Sequence, residues 1–170
     1  MAGYTIRTYG DPVLRQKATD VTEIDGAVAQ LATDMLAPMR QVHGLGLAAP
    51  QVGVLKRLFV YELPDSAAGP QCIVNPVIAE SRGEWEYEEG CLSVPELYFP
   101  IVRPKEIHIT GYDLQGKEVS IEADELLGRL FQHELDHLDG VLLLEHLDES
   151  TRKRALKELR KRQLDALPLD

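Results

Sequence analysis

Gln132-His133-Glu134-Leu135-Asp136-His137-Leu138-Asp139-Gly140 carries two histidines one helical turn apart, with a glutamate directly after the first. The surrounding pattern predicts a helix over about Asp124–Asp139, stopped by Gly140 as a plausible C′ residue. At about 100° per residue, His133 and His137 lie about 40° apart on one face. Leu126, Leu130, Leu127, Leu138, Phe131 and Leu135 spread from about 20° to about 200° around the wheel, with Glu134 at about 100°, inside that apolar sector. Arg129, Asp136, Glu125, Gln132, Asp139 and Gly128 fill the opposite arc. Two histidines four apart would by themselves describe a surface helix. A carboxylate buried without a partner is costly, however, and packing does not call for one. The His-Glu-x-x-His pattern accounts for it: the imidazoles hold a metal, and the glutamate serves a water bound to it.

Two protein ligands do not make a catalytic site, so a third must come from elsewhere. Where a third histidine would complete a longer helix motif stands Leu143, and His146 lies three residues too far. Glu158 falls on a third predicted helix, but points away from its apolar stripe of Ala155, Leu156, Leu159, Ala166 and Leu167, and reads as solvated. Cys91 is the better candidate, in Glu89-Gly90-Cys91-Leu92-Ser93 directly after a strand candidate; Cys72 reads as a small buried hydrophobe. Gly44-Leu45-Gly46-Leu47-Ala48-Ala49-Pro50-Gln51-Val52-Gly53 has the wrong glycine spacing for a dinucleotide site. Such a loop allows close backbone approach to a ligand, with the Gln51 carboxamide as a polar group.

The 170 residues predict one domain, and 44% apolar with 27% charged residues is the profile of an ordinary globule. The longest aliphatic run, Val141–Leu144, excludes a membrane-spanning helix of about 20 residues. The mixed stretch Tyr4–Thr8 gives no expectation of a secretory signal, and two cysteines give none of a disulfide framework. A net charge of −10 argues against non-specific binding to polyanions by the body of the protein. Residues 151–163 reverse that sign, with seven basic residues and one acid. Further elements are expected as a helix over Asp25–Gln41, kinked or ended early by Pro38, and strands at Arg57–Leu63, Cys72–Ile78 and Gly83–Glu88. A hairpin over Lys105–Tyr112 and Lys117–Ile121 turns at Asp113–Gly116, and the third helix runs from a Ser150 cap to about Leu167. The order predicts an α+β domain with antiparallel or mixed sheets packed around the His-Glu-x-x-His helix and a C-terminal helix.

Residues 44–53, 89–93 and 132–140, in this order and spacing, resemble the three signature motifs of bacterial peptide deformylases, and Tyr9–Arg15 is also similar to that family. The resemblance spans roughly residues 5–150 and implies a metalloenzyme that removes the formyl group from N-terminal formylmethionine of new proteins. It implies metal ligation by Cys91, His133 and His137, with metal-bound hydroxide as nucleophile and Glu134 as general base and then acid. Gln51 and the Leu92 backbone N–H would polarise the substrate. It further implies Fe²⁺, with Zn²⁺, Ni²⁺ or Co²⁺ as substitutes, and an iron thiolate open to oxidation at Cys91. Gly46 is expected to confine the formyl group, while Leu45, Tyr87, Leu126 and Leu130 form a slot for methionine; Glu89, Gly90 and Arg129 complete the expected substrate-binding set. Tyr98 departs from the family, where many members carry arginine.

The competing reading is a zinc endopeptidase of the His-Glu-x-x-His type, and another is a catalytically silent metal-binding or ribosome-associated module; retention of Glu134 and Gln51 argues against silence. Residues 1–150 are expected to form the catalytic unit, with 151–170 a basic amphipathic helix and tail of the same domain. Arg160, Lys153, Lys157, Lys161 and Arg154 form a cationic face on that helix, expected to meet the ribosome near the exit site. A cytoplasmic protein with no membrane or specific DNA partner is the matching expectation.

Overall fold

Phe59 and Leu58 point to opposite sides of one strand, and this alternation sets the architecture. The computed structural model describes residues 3–64 and 66–166. It contains β1 (Gly46–Ala48), β2 (Leu58–Tyr61), β3 (Gln71–Arg82), β6 (Glu106–Tyr112) and β7 (Glu118–Asp124), joined antiparallel in the order β1-β2-β3-β6-β7. Strands β4 (Trp85–Cys91) and β5 (Val94–Arg103) form a separate antiparallel pair. Three helices complete the fold: α1 (Gly26–Gln41), α2 (Glu125–Leu138) and α3 (Glu149–Asp165). Leu58, Val60 and Val74 pack with Val28, Leu31 and Met35 of α1. Phe59, Ile73, Ile107 and Ile109 pack on the other side with Leu130, Phe131 and Leu138 of α2. Helix α2 is therefore central, its Phe131 ring 5.7 Å from that of Phe59. Truncating Phe131 to alanine would cost about 3–5 kcal/mol.

Several local expectations are met and some corrected. Asp25 caps α1 by accepting from Val28 N–H, but Pro38 does not end the helix, which continues three residues to Gln41. The ring is buried and only one intrahelical bond near the terminus is lost, so packing outweighs the defect. Strand β5 was not expected, because Pro95 and Pro100 break its pattern; a two-stranded sheet tolerates both, since each strand has a free edge. Helix α3 is capped by Asp148 rather than Ser150: Asp148 Oδ1 accepts from Thr151 N–H at 3.0 Å and from Ser150 Oγ at 2.8 Å. Ala155 and Leu159 dock α3 against Val94, Ile101, Leu143 and Leu144. Ala166, assigned to the apolar stripe, is exposed, and Leu167 lies outside the described residues. Among the described residues, no helix is long and apolar enough to cross a membrane.

Candidate metal centre

The inner face of α2 meets the turn of the β4–β5 hairpin, and there Cys91, His133 and His137 converge, their ligand atoms all within 4.8 Å of one another. His137 Nε2 lies 3.3 Å from Cys91 Sγ and 3.2 Å from His133 Nε2. A soft sulfur and two imidazole nitrogens this close repel one another unless a cation or proton sits between them, so the donor set fits a divalent metal. Charge follows the same logic. Burial pushes the Cys91 thiol up, but the facing His137 and His133 outweigh it and hold the thiol well below its ordinary range. His133 is pushed down by burial, yet Cys91 and Glu89 raise it well above an ordinary histidine.

Glu134 stands beside this cluster, 4% exposed, with Oε2 lacking any hydrogen-bond partner among the described residues. Burial raises its pKa, partly offset by the two histidines. Gly46 permits the approach of β1: a β-carbon there would lie 2.7 Å from Glu134 Oε1. Gln51, in the short turn Ala49–Val52, is equally buried. Its Oε1 accepts from Ala48 N–H at 2.9 Å, and its Nε2 donates to Ser93 Oγ at 3.1 Å, 4.0 Å from Cys91 Sγ. The carboxamide orientation is thereby fixed, with nitrogen toward Cys91.

Behind His133 lies a buried ion cluster. Glu89 Oε1 is 2.5 Å from His133 Nδ1, and the same carboxylate accepts from Arg103 Nε and Nη2 and from Arg129 Nη1, at 2.9, 2.7 and 2.7 Å. Burial would raise the Glu89 pKa, but His133 and Arg103 prevail and hold it far below the usual carboxylate range. Glu89 therefore fixes the ring of His133 and leaves Nε2 to face His137 and Cys91.

A cleft of about 640 Å³ opens over the centre. Gln51, Cys91, Leu92, His133 and Glu134 line it, whereas the buried His137 does not border it. All eight residues expected at the substrate border it: Leu45, Gly46, Tyr87, Glu89, Gly90, Leu126, Arg129 and Leu130. Two of these do something else with their charges. Glu89 and Arg129 turn their charged ends toward each other, and the Arg129 guanidinium lies under the rings of Trp85 and Tyr87, at 5.1 and 5.9 Å. Burial without a partner would be costly for either, so they pair instead of facing the cleft. Arg103 and Ser93, which fix Glu89 and Gln51, escaped the sequence reading: Ser93 sits inside a motif already quoted, while no local pattern marks Arg103. The rim residues Glu88 and Glu96 were also missed as cleft walls; Tyr98, singled out above as a departure from the family, borders the cleft too, its ring resting on Gly90.

Three converging donor atoms at an open cleft, with a buried carboxylate beside them, fit a hydrolytic metalloenzyme rather than a protein with a closed structural site. The comparisons narrow the class. A family model described as Polypeptide deformylase matches residues 4–153. The peptide deformylase of Nitrosococcus oceani is 43% identical over 117 residues, covering 69% of this chain and 70% of that one. The crystal structure of a Legionella pneumophila peptide deformylase superposes with a TM-score of 0.91 at 38% identity, covering 98% of this chain and 100% of the other. A peptide deformylase from Ehrlichia chaffeensis in complex with actinonin gives 0.89 at 37% identity, over 95% and 98% of the two chains. The chain belongs to the polypeptide deformylase family. It is a metal-dependent amide hydrolase that deformylates peptides, and the endopeptidase alternative is not favoured.

Proposed function

We propose that Cys91, His133 and His137 hold the catalytic metal and that Glu134 moves the proton in hydrolysis of N-terminal formylmethionine on nascent chains. The observation that carries this reading is the convergence of three donor atoms beside a buried carboxylate with an unpartnered oxygen. A divalent cation bound there would acidify water and polarise the formyl oxygen. Glu134 takes the proton from the attacking water and returns it to the departing amine nitrogen. Gln51 Nε2 and the Leu92 backbone N–H donate to the formyl oxygen as it gains negative charge, each donor of this kind being worth about 10²–10³ in rate. Leu45, Tyr87, Leu126 and Leu130 on the cleft wall supply an apolar slot for methionine, and the close fit of Gly46 against Glu134 disfavours acyl groups larger than formyl. Fe²⁺ is the proposed native metal, with Zn²⁺, Ni²⁺ or Co²⁺ able to substitute at the same donor set.

Residues 1–150 form the proposed catalytic unit, and the packing of Ala155 and Leu159 supports counting 151–170 in the same domain. The protein is proposed to act in the cytoplasm, its basic α3 face meeting ribosomal RNA near the exit site. Lys153, Lys157 and Arg160 border one shallow groove on that helix, which supports a phosphate-facing surface. The test is a comparison of formyl-Met-Ala with casein: rapid release of formate and no cleavage of casein is expected, and the reverse pattern would overturn the reading.

A further inference from the structure

His146 is excluded as a third ligand, yet the fold returns it to the metal centre by another route. Helix α2 ends at Leu138, and the chain turns away at Gly140, whose φ is +72° and where a β-carbon would meet the Arg15 carbonyl oxygen at 2.7 Å. Val141 N–H donates back to the Asp136 carbonyl at 2.9 Å, and the buried side chains of Leu142, Leu143 and Leu144 anchor the turn that follows. His146, the last residue of the turn Leu143–His146, lands beside α2 with Nε2 2.8 Å from Asp136 Oδ2. The same oxygen accepts from Arg103 Nη1 at 2.9 Å. Arg103 grips Glu89, and Glu89 holds His133 Nδ1. An unbroken chain of hydrogen-bonded side chains thus runs from His146, at the surface, to a proposed ligand.

We propose that His146 is a positioning residue for the metal centre, pinning Asp136 so that Arg103 and Glu89 hold His133 in its binding orientation. The proposal rests on the ligand assignment above. Arg103 and Arg129 share the single carboxylate of Glu89 in the interior, and Asp136 supplies the second negative charge that balances them. The Asp136 side chain is 26% exposed, and His146 bonds the same oxygen that accepts from Arg103. Without His146, Asp136 is freed toward solvent, Arg103 leans further on Glu89, and Oε1 divides differently between Arg103 Nη2 and His133 Nδ1. Groups that directly orient a ligand typically change metal affinity 10–100-fold. A residue acting through them should change it by roughly two- to tenfold.

The test loads the full chain with Co²⁺ and follows transfer of the metal to a chelator, together with the cobalt absorption bands. His146→Ala and the bulkier His146→Leu are each expected to release cobalt roughly two- to tenfold faster, with shifted bands. His146→Gln, which keeps a donor to Asp136, is expected to restore both. Wild-type release and an unchanged spectrum in His146→Ala or His146→Leu would overturn the proposal, even if thermal stability falls. Cys91→Ala separates the two levels. Loss of metal in that variant alongside wild-type release in the His146 variants rejects the positioning role alone, whereas full metal retention in Cys91→Ala rejects the ligand assignment beneath it.

Discussion

Gly46 and Glu134 are packed so closely that a single added methyl group would displace the carboxylate: a β-carbon on Gly46 would lie 2.7 Å from Glu134 Oε1 and 3.1 Å from Cδ. The backbone of β1 and the Glu134 carboxylate of α2 therefore share one wall of the cleft, at the proposed formyl site. Gly46→Ala is expected to lower kcat about 10–10²-fold, as misplacement of a reacting group by about 1 Å does. Metal content should stay at the wild-type level. Formate release together with elemental analysis checks this, and wild-type turnover would mean that Glu134 tolerates displacement.

Gln51 is held by Ala48 N–H on one side and Ser93 Oγ on the other, so its nitrogen has one orientation. Gln51→Ala is expected to reduce kcat about 10²–10³-fold with little change in KM, because the bond it supplies strengthens as the oxygen becomes anionic. A change confined to KM would contradict that role.

Cys72 lies outside the Cys91–His133–His137 cluster, and burial pushes its thiol from about 9 up to about 12. The folded protein thus keeps the proton more tightly than the unfolded chain. Its contribution to stability is fully present below about pH 9 and is lost as pH rises toward 12. Tyr61, its pKa raised by burial and by neighbouring Cys72, contributes with the same sign. Urea unfolding at pH 7 and pH 10 should show a stability loss in alkali that Cys72→Val diminishes. An equal loss in both proteins would place the alkaline sensitivity elsewhere.

The basic face of α3 is expected to act at a distance from the chemistry. Charge reversal by Lys153→Glu, Lys157→Glu and Lys161→Glu should reduce co-sedimentation with ribosomes at low salt, while sparing hydrolysis of a short formyl peptide. A triple variant that pellets like wild type would leave the face as solvated surface.

Legibility in the sequence followed the range of the interactions. Helix α2 could be read because its period, its stop at Gly140 and the placement of Glu134 are properties of one segment. The hairpin β6–β7 was readable for the same reason, with Asp113 closing its own turn. Strand β5 was hidden by Pro95 and Pro100, whose cost vanishes only on a free strand edge. The partners of Glu89 were invisible in another way. Arg103 lies across the hairpin and Arg129 on a different element, so neither shares a local pattern with the residue it neutralises. The Asp148 cap shows the smallest such error: Ser150 is a good capping residue by type, but its hydroxyl is itself bonded to Asp148.

The central claim is that metal binding and proton transfer belong to different residues of one helix turn. Glu134→Gln tests it most directly, by metal content and formate release measured on the same preparation. The account predicts one divalent metal per chain, as in the wild type, with turnover lowered about 10²–10⁴-fold. Near-wild-type turnover with the metal in place would contradict it.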